Sequence, residues 1–261
     1  MRNLPLGWAT DIAVLQHMGS VVDDRGDHLI VRTPQNPEFH WGNCVFVTAP
    51  DAVDEAGCWV TTFQAAMPDA DWIAIGLPRM PTDVDGWTRF GLAVELNDVL
   101  VTSTLPRQTA PPDGYVIRRL TGDDWQQLVA RQLAENDRTA RYEPRSHERF
   151  VRARTQAQRE LSERGIAVFA GSFFEGRLVA ELGIVRCGAT ARFQDVATDP
   201  GHRRRGIASH LLGVAAAWAA DRGCDRWVIV TEASNTAGRV YRRAGFEPDV
   251  PSVEVYRPPM R

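Results

Sequence analysis

The pattern of apolar and polar positions divides the chain into two stretches. In the first stretch, short apolar runs bounded by turn residues predict three strands. A helix is predicted between the last two of them. The strands are His28–Arg32, Cys44–Thr48 and Trp72–Gly76, and the helix is Asp51–Ala66.

The second stretch has a clearer order of elements. A strand and two helices are followed by three strands, a long helix, a strand, a short helix and a last strand. In chain order they are Tyr115–Leu120, Asp123–Ala134, His147–Arg164, Ile166–Gly171, Arg177–Val185, Ala191–Thr198, Gly206–Gly223, Arg226–Thr231, Thr236–Ala244 and Val253–Tyr256. Strands mixed with helices in this way predict an α+β (mixed α/β) fold.

A segment rich in proline separates the two stretches. The sequence STLPRQTAPPDGYVIRRL carries three prolines and a glycine, which marks a linker near Pro106–Gly114. A chain of 261 residues also exceeds the usual size of one domain. We therefore predict an N-terminal domain over residues 1–108 and a second domain over residues 114–261.

Composition narrows the class of protein. The chain is 44% hydrophobic and 24% charged, as is typical of a soluble globular protein, and no apolar run reaches the length of a membrane span. The first residues lack the apolar run of a signal peptide. The four cysteines show no metal-ligand spacing, which indicates reduced thiols, no bound metal and a cytoplasmic protein. All 30 basic residues are arginine, which suggests a GC-rich bacterial genome.

Charge is distributed unevenly. Residues 1–110 carry 6 arginines against 14 acidic residues, a net charge of −8, whereas residues 111–261 carry a net charge of +5. The second half is thus the better candidate for binding an anion. An overall pI near 6.1 and the lack of a basic stripe with aromatic residues argue against a nucleic acid as that anion.

Three consecutive arginines, Arg203–Arg205, stand at the start of the long helix. Arginine opposes the helix dipole at this end, whereas an anionic ligand is favoured there by the dipole and by unpaired N–H groups. With Gly206 permitting close approach, the segment is suited to a pyrophosphate. The alternative is an ordinary solvated basic turn.

Two motifs in the second half resemble those of the GNAT superfamily of acyl-CoA N-acyltransferases. RRRGIA (Arg203–Ala208) matches the R-x-x-G-x-G/A signature of that family and opens a long helix after a strand. SNTAGRVYRRAGFEP (Ser234–Pro248) resembles the second signature, with Tyr241 four residues before a Gly-Phe pair. The resemblance covers about Gly114–Tyr256, and it implies a central mixed sheet flanked by helices.

The resemblance also implies acetyl-CoA as cosubstrate and a set of binding residues. Backbone groups of a splayed strand would bond pantetheine, a neighbouring loop would take the pyrophosphate, and a tyrosine would protonate the departing thiolate. An N–H near Val196 would polarise the thioester carbonyl. The positions that match are Val196, Ala197 and Thr198 for the strand, Arg203, Arg204, Arg205, Gly206, Ile207 and Ala208 for the loop, and Tyr241 for the acid.

Several assignments stay open at this point. The family has Asn seven residues before the tyrosine, but here Ser234 holds that place and Asn235 follows it, so either side chain reaches the cofactor or both cap the next helix. Tyr241 could instead be a packed tyrosine. Candidates for the general base are Glu181, Asp195 and Glu232. Strand alternation would place Asp195 on the face opposite Gln194 and Val196.

The N-terminal half resembles the first part of bacterial tandem GNAT proteins. The segment TPQNPEFHWGNCVFV (Thr33–Val47) carries this resemblance, but residues 1–110 contain no R-x-x-G-x-G/A loop. We therefore expect a degenerate copy of the fold that binds no cofactor. It either walls an acceptor pocket, which its acidity would suit to a cationic amine, or completes a shared core. Phe39, His40 and Trp41 could line such a pocket or merely pack.

These observations predict a cytoplasmic bacterial N-acetyltransferase. It would transfer an acetyl group from acetyl-CoA to a primary amine of a small molecule or peptide by direct attack. We expect a monomer or homodimer with no nucleic-acid or membrane partner. The alternative is a non-catalytic acyl-CoA-binding sensor or interaction protein on the same scaffold.

Overall fold

A computed structural model describes residues 4–259 and divides the chain into two compact units. The first unit contains the described residues up to Val99, then Val230–Asn235, and the described residues from Pro248 onward. The second unit contains Leu100–Ile229 and Thr236–Glu247. Among the described residues, no helix is long and apolar enough to cross a bilayer.

The first unit is built on a sheet with the strand order β1-β2-β3-β4-β12-β5. The β3–β4 pair is parallel, and the other pairs are antiparallel. Its strands are β1 Val21–Asp24, β2 His28–Arg32, β3 Cys44–Val47, β4 Ile73–Leu77, β5 Ala93–Thr102 and β12 Ser252–Arg257. The last residues of β5, from Leu100 onward, belong to the second unit. Its helices are α1 Leu6–His17, α2 Ala56–Ala66 and α3 Asp85–Thr88. The three strands predicted for this half are confirmed, and α2 begins later than predicted because a short 3-10 turn, Pro50–Ala52, precedes it.

The second unit has the strand order β10-β9-β8-β7-β6. The β9–β10 pair is parallel, and the other pairs are antiparallel. Its strands are β6 Tyr115–Arg119, β7 Ala167–Phe174, β8 Arg177–Cys187, β9 Thr190–Thr198 and β10 Arg226–Glu232. The last residues of β10 belong to the first unit, and the two-residue strand β11, Glu247–Pro248, has one residue in each unit. Its helices are α4 Asp124–Thr139, α5 Pro144–Glu163, α6 Ile207–Ala220 and α7 Ala237–Arg243. The predicted α+β fold, a mixed sheet flanked by helices, is confirmed.

The sheet of the second unit has a different layer on each face. Ile207, Leu211 and Leu212 of α6 are buried in one core with apolar residues of β7, β8 and β9. Burial of each such side chain stabilises the fold by about 1.5–3 kcal/mol. On the other face, Trp125 of α4 packs edge-to-face on Phe169 of β7. The faces therefore differ: one is closed by α6 and the other is flanked by α4 and α5.

Two boundaries differ from those read in the sequence. The last strand, β12, forms where it was predicted, but it pairs with β4 and β5 and so joins the first unit. A local pattern predicts that a strand forms and does not identify its neighbours. The segment interpreted as a linker packs on α6: the carbonyl of Thr109 lies 2.6 Å from His210 Nδ1. A Cβ on Gly213 would come within 2.8 Å of the Cα of Gln108, so glycine permits this close approach.

Candidate active site

Strand β9 leaves its parallel neighbour after three residues. It runs from Thr190 to Thr198, but within the described chain β10 pairs with it only as far as Arg192 and Val228. The other edge of β9 stays paired with β8 up to Thr198. The edge of β9 that follows Arg192 is therefore not used by β10, and its backbone groups are left for another partner.

A β-bulge lies at this point of β9. Gly183 of β8 pairs with Gln194, whereas Glu181 pairs with Ala197, so β9 contains one extra residue. Asp195 has a φ of +51°, in the left-handed region that non-glycine residues rarely adopt. Bulges of this kind increase the local twist and bend the strand. The bulge therefore explains why β9 departs from a straight course where β10 separates from it.

The bulge also corrects the predicted alternation of side chains. Cross-strand partners share a face, so Gln194 lies on the same face as Gly183, which abuts the ring of Phe169 on the α4–α5 side. Asp195 lies on that side too, because its carboxylate accepts hydrogen bonds from Arg154 at 2.6 Å and Gln158 at 2.5 Å, both in α5. The prediction that Asp195 and Gln194 occupy opposite faces is wrong.

The three positions that match the pantetheine strand follow the bulge. Val196 packs against the core that α6 closes, as alternation from Asp195 predicted. Ala197 and Thr198 pair with Glu181 and Ala180 of β8. The carbonyl of Thr198 accepts a hydrogen bond from Nε of Arg203 at 2.9 Å, so the end of the strand is tied to the start of the arginine loop.

The arginine loop connects β9 to α6 by a turn with two left-handed residues. A short 3-10 turn, Pro200–His202, is followed by Arg204 with a φ of +61° and Gly206 with a φ of +81°. Gly206 is the N-cap of α6, no side chain caps this end, and the first turn contains no acidic residue. Arg203–Arg205 are exposed, and a Cβ on Gly206 would meet no atom within 4 Å.

Ile207 and Ala208 begin the helix behind this loop. The side chain of Ile207 is buried in the core, and Ala208 is half-buried. Both residues therefore offer only backbone N–H groups to a ligand at the helix start. Together with the arginines, the loop presents an open group of donors with positive charge.

The turn before the arginines is anchored to the edge of the sheet. The hydroxyl of Tyr115 in β6 and Nδ1 of His202 are 2.8 Å apart, and the two rings pack edge-to-face. Phe174 of β7 packs against both rings. Sequence analysis did not identify this contact, because 87 residues separate the two partners.

Tyr241 lies on α7 and is buried, with 4% of its surface exposed. It belongs to the core that also holds Phe246 and the buried face of α6. Burial raises the pKa of Tyr241 to about 12. The hydroxyl therefore stays protonated over the neutral range, as a proton donor requires.

Ser234 and Asn235 occupy the connection between β10 and α7. Both side chains are exposed, and the N–H of Asn235 donates to the carbonyl of Glu232 at 2.9 Å. The N-cap of α7 is Thr236, whose own side chain makes no capping hydrogen bond. Both interpretations of Ser234 and Asn235, as cofactor contacts and as helix caps, stay predictions.

The three candidate bases differ in their surroundings. Glu181 is buried, and its Oε2 is 2.9 Å from Nη1 of Arg131 in α4. Asp195 has both carboxylate oxygens engaged by α5, and Glu232 is exposed. Arg131 was missed in the sequence because it lies 50 residues from Glu181 and belongs to an amphipathic helix in which an arginine is unremarkable.

The aromatic residues of the first unit pack against its core. His40 stacks on Trp72 with ring centroids 4.3 Å apart, and its Nδ1 is 2.7 Å from the hydroxyl of Tyr256. Burial lowers the pKa of His40. Phe39 and Trp41 pack against the core of the same unit. Among the described residues, no group of three or more His, Cys, Asp or Glu side chains could hold a metal ion.

Comparison with known proteins finds a family match for part of the chain. Residues 130–246 match the model of the acetyltransferase (GNAT) family. A GCN5-related N-acetyltransferase from Kribbella flavida has the same fold with a TM-score of 0.68 at 16% identity, covering 97% of this chain and 96% of that one. One from Sphaerobacter thermophilus has a TM-score of 0.57 at 17% identity, covering 90% and 82%.

A tandem GNAT protein from the clavulanic acid biosynthesis pathway is similar over almost the full length. It has a TM-score of 0.54 at 12% identity and covers 99% of this chain and 98% of that one. A comparison with curated proteins finds no match. The family match thus places a GNAT acetyltransferase domain within residues 130–246, in the second half of the chain.

Proposed function

We propose that the protein transfers an acetyl group from acetyl-CoA to a primary amine of a small molecule or peptide. The observation that carries this proposal is the edge of β9 that β10 leaves unpaired after Arg192, up to the arginine loop that follows the strand. The unpaired edge of β9 is followed in the chain by a helix start with free N–H groups. A ligand with a peptide-like arm and a pyrophosphate requires both features.

Each matched position takes a role that its environment permits. Backbone groups of Val196, Ala197 and Thr198 bond pantetheine, and an N–H near Val196 binds the oxyanion. One lone pair of the Thr198 carbonyl is already used by Arg203, so Val196 and Ala197 supply most of these bonds. The loop Arg203–Ala208 holds the pyrophosphate with its guanidinium groups and helix N–H groups. Ser234 or Asn235 contacts the pantetheine arm.

Tyr241 donates to the sulfur that leaves. A phenol with a pKa of about 12 is a weaker acid than a thiol, so its first contribution is a hydrogen bond to the developing thiolate. Proton transfer is completed as the attacking nitrogen gives up a proton of its own. The reaction proceeds by direct attack, since no acyl-enzyme is required.

The direct test is a screen for acetyl transfer. The purified protein is incubated with acetyl-CoA and a panel of alkylamines, amino-acid amides and short peptides, and release of free thiol is followed together with the mass of the product. We expect at least one amine to gain a single acetyl group. Tight binding of acetyl-CoA with no acceptor from the panel would instead favour the acyl-CoA sensor.

The number of cofactor sites is a second prediction. We expect one acetyl-CoA per chain, with affinity that falls as salt rises, because only residues 111–261 carry an arginine loop at a helix start. Arg203→Ala with Arg205→Ala should weaken binding roughly tenfold or more through the loss of charge-assisted hydrogen bonds. Isothermal titration calorimetry gives both quantities. The matched control is Arg145→Ala with Arg152→Ala, two exposed arginines of α5.

Two equivalent sites per chain, or an affinity that the loop variant leaves intact, would show that the cofactor has been assigned to the wrong residues.

The anchor of the arginine loop gives a third prediction. Tyr115→Phe keeps the aromatic contacts but removes the hydroxyl that meets His202. Loss of one such hydrogen bond, worth about 0.5–1.5 kcal/mol, should raise the Kd for acetyl-CoA roughly 2- to 10-fold. Tyr142→Phe, at a tyrosine whose ring stacks on His147, is the control. An unchanged Kd in Tyr115→Phe would mean that this contact does not position the loop.

A further inference from the structure

A buried ion cluster lies beside the β9 bulge and has no part in the roles assigned so far. Glu181 of β8 is only 3% exposed, and its carboxylate meets Arg131 of α4 at 2.9 Å. Nε of the same guanidinium is 3.0 Å from a carboxylate oxygen of Asp199, just after β9. One arginine thus pairs with two carboxylates, of which Glu181 is buried and Asp199 is partly exposed.

Glu181 is placed next to the strand that receives the thioester. It is the cross-strand partner of Ala197, one residue from the N–H assigned to the oxyanion. Its side chain points to the α4–α5 face, since it meets Arg131 of α4. The side chain of Asp195, at the bulge, lies on the same face. A nucleophile that approaches the thioester from this side therefore arrives beside the carboxyl of Glu181.

The other two candidate bases lack this combination. Both oxygens of Asp195 accept hydrogen bonds, from Arg154 and Gln158. Oε2 of Glu181 is ion-paired with Arg131 but makes no hydrogen bond with any described residue, so it can accept a proton without breaking one. Glu232 is exposed, where a carboxylate is a weak base. Burial raises the pKa of Glu181 to about 8, which is close to the value that proton abstraction at neutral pH requires.

We propose that Glu181 is the general base, which takes a proton from the acceptor ammonium as the amine reaches the β9 bulge from the face flanked by α4 and α5. This inference rests on the proposed function. Because the carboxyl is buried, the proton reaches it through one water molecule.

The proton balance of the step is complete. The ammonium gives one proton to Glu181, and the free amine attacks the carbonyl carbon, so that a C–N bond forms and the C–S bond breaks. The sulfur takes the phenolic proton of Tyr241, and the second proton of the nitrogen restores the phenol. Glu181 returns its proton to solvent, and each turnover releases one proton.

Several groups around Glu181 set its ionisation. Arg131 lowers the pKa by its charge, and Gln132, also on α4, lowers it by a hydrogen bond. Asp195 and Asp199 raise it by like charge, and burial raises it most. A base must be ionised to act. We therefore expect kcat/KM for the amine to fall about tenfold per pH unit below pH 8 and to level off above it.

The test compares pH profiles of four proteins between pH 6 and 10, with the best amine of the panel. Glu181→Gln should lower kcat/KM roughly 10²–10⁴-fold at pH 9 and remove the acidic limb. Arg131→Met should move the midpoint of that limb to higher pH, because it removes the positive charge that lowers the pKa. Asp195→Asn should move the midpoint to lower pH, because it removes a negative charge that raises the pKa of Glu181.

Binding of acetyl-CoA, measured by calorimetry, reports whether each variant is folded and should not change. If Glu181 has only a structural role, Glu181→Gln should lose stability, and the acidic limb of the pH profile should not shift in Arg131→Met. That result would overturn the proposal. Loss of the limb in Asp195→Asn instead of Glu181→Gln would assign the base to the other carboxylate. If the wild type acetylates no amine, the proposed function itself fails. If the wild type acetylates an amine and the Glu181→Gln protein does so at the same rate, only the assignment of the base fails.

Discussion

Replacement of Tyr241 by phenylalanine should lower kcat roughly 10²–10⁴-fold, while the affinity for acetyl-CoA changes little. The substitution removes only the hydroxyl, and the ring stays in the core with Phe246. The departing thiolate then develops its charge without a donor. Steady-state kinetics with the best amine gives kcat, and calorimetry gives the Kd of acetyl-CoA.

Tyr256→Phe is the matched control. It also removes one phenolic hydroxyl, but that hydroxyl pairs with His40 in the first unit. We expect its kcat to stay near that of the wild type. A packed tyrosine with no chemical role would show reduced thermal stability and normal turnover of the folded protein, so wild-type kcat in Tyr241→Phe would remove the acid role.

The pH dependence separates the acid from the base. Because the pKa of Tyr241 is raised to about 12, the donor remains protonated throughout the range in which proteins are assayed. Any loss of rate between pH 6 and 8 therefore belongs to Glu181, whose pKa is raised to about 8. The two residues are expected to leave different signatures: a lower plateau for Tyr241→Phe and a lost acidic limb for Glu181→Gln.

Elements with a regular apolar period could be predicted from the sequence. The long helix α6 was found through the spacing of Ile207, Leu211 and Trp218, all of which are buried. Helix α1 was missed, although Trp8, Ile12 and Leu15 carry the same 4 and 3 spacing and are also buried. Its signal was present in the sequence and could have found it.

The geometry of the site depended on contacts that no local pattern carries. Asp195 has a left-handed φ because the bulge and its bonds to Arg154 and Gln158 hold it there, and a strand pattern gives no sign of an extra residue. Likewise, Arg131 reaches Glu181 only because α4 packs against β8 in the folded chain. The motifs located the loop and the tyrosine, whereas the choice among three carboxylates needed the folded chain.

A carboxylate at position 206 should weaken acetyl-CoA binding about tenfold to several hundredfold. Gly206 is the N-cap of α6 with a φ of +81°, and a Cβ there points into open space beside the arginines. In Gly206→Glu, the new negative charge faces the pyrophosphate and competes for the donors. Loss of one or two charge-assisted hydrogen bonds, at about 1.5–3 kcal/mol each, accounts for the expected factor.

Two controls separate charge from backbone strain. Gly206→Gln carries the same left-handed conformation and nearly the same volume without the charge, so it should weaken binding less than Gly206→Glu. Gly223→Glu introduces the same residue just after the other end of α6, at a φ of +83° with no atom within 4 Å of the new Cβ. Its affinity for acetyl-CoA should equal that of the wild type. Calorimetric Kd values for the three folded proteins provide the comparison, and a Gly206→Glu protein that binds acetyl-CoA as tightly as Gly223→Glu would exclude the loop as the pyrophosphate site.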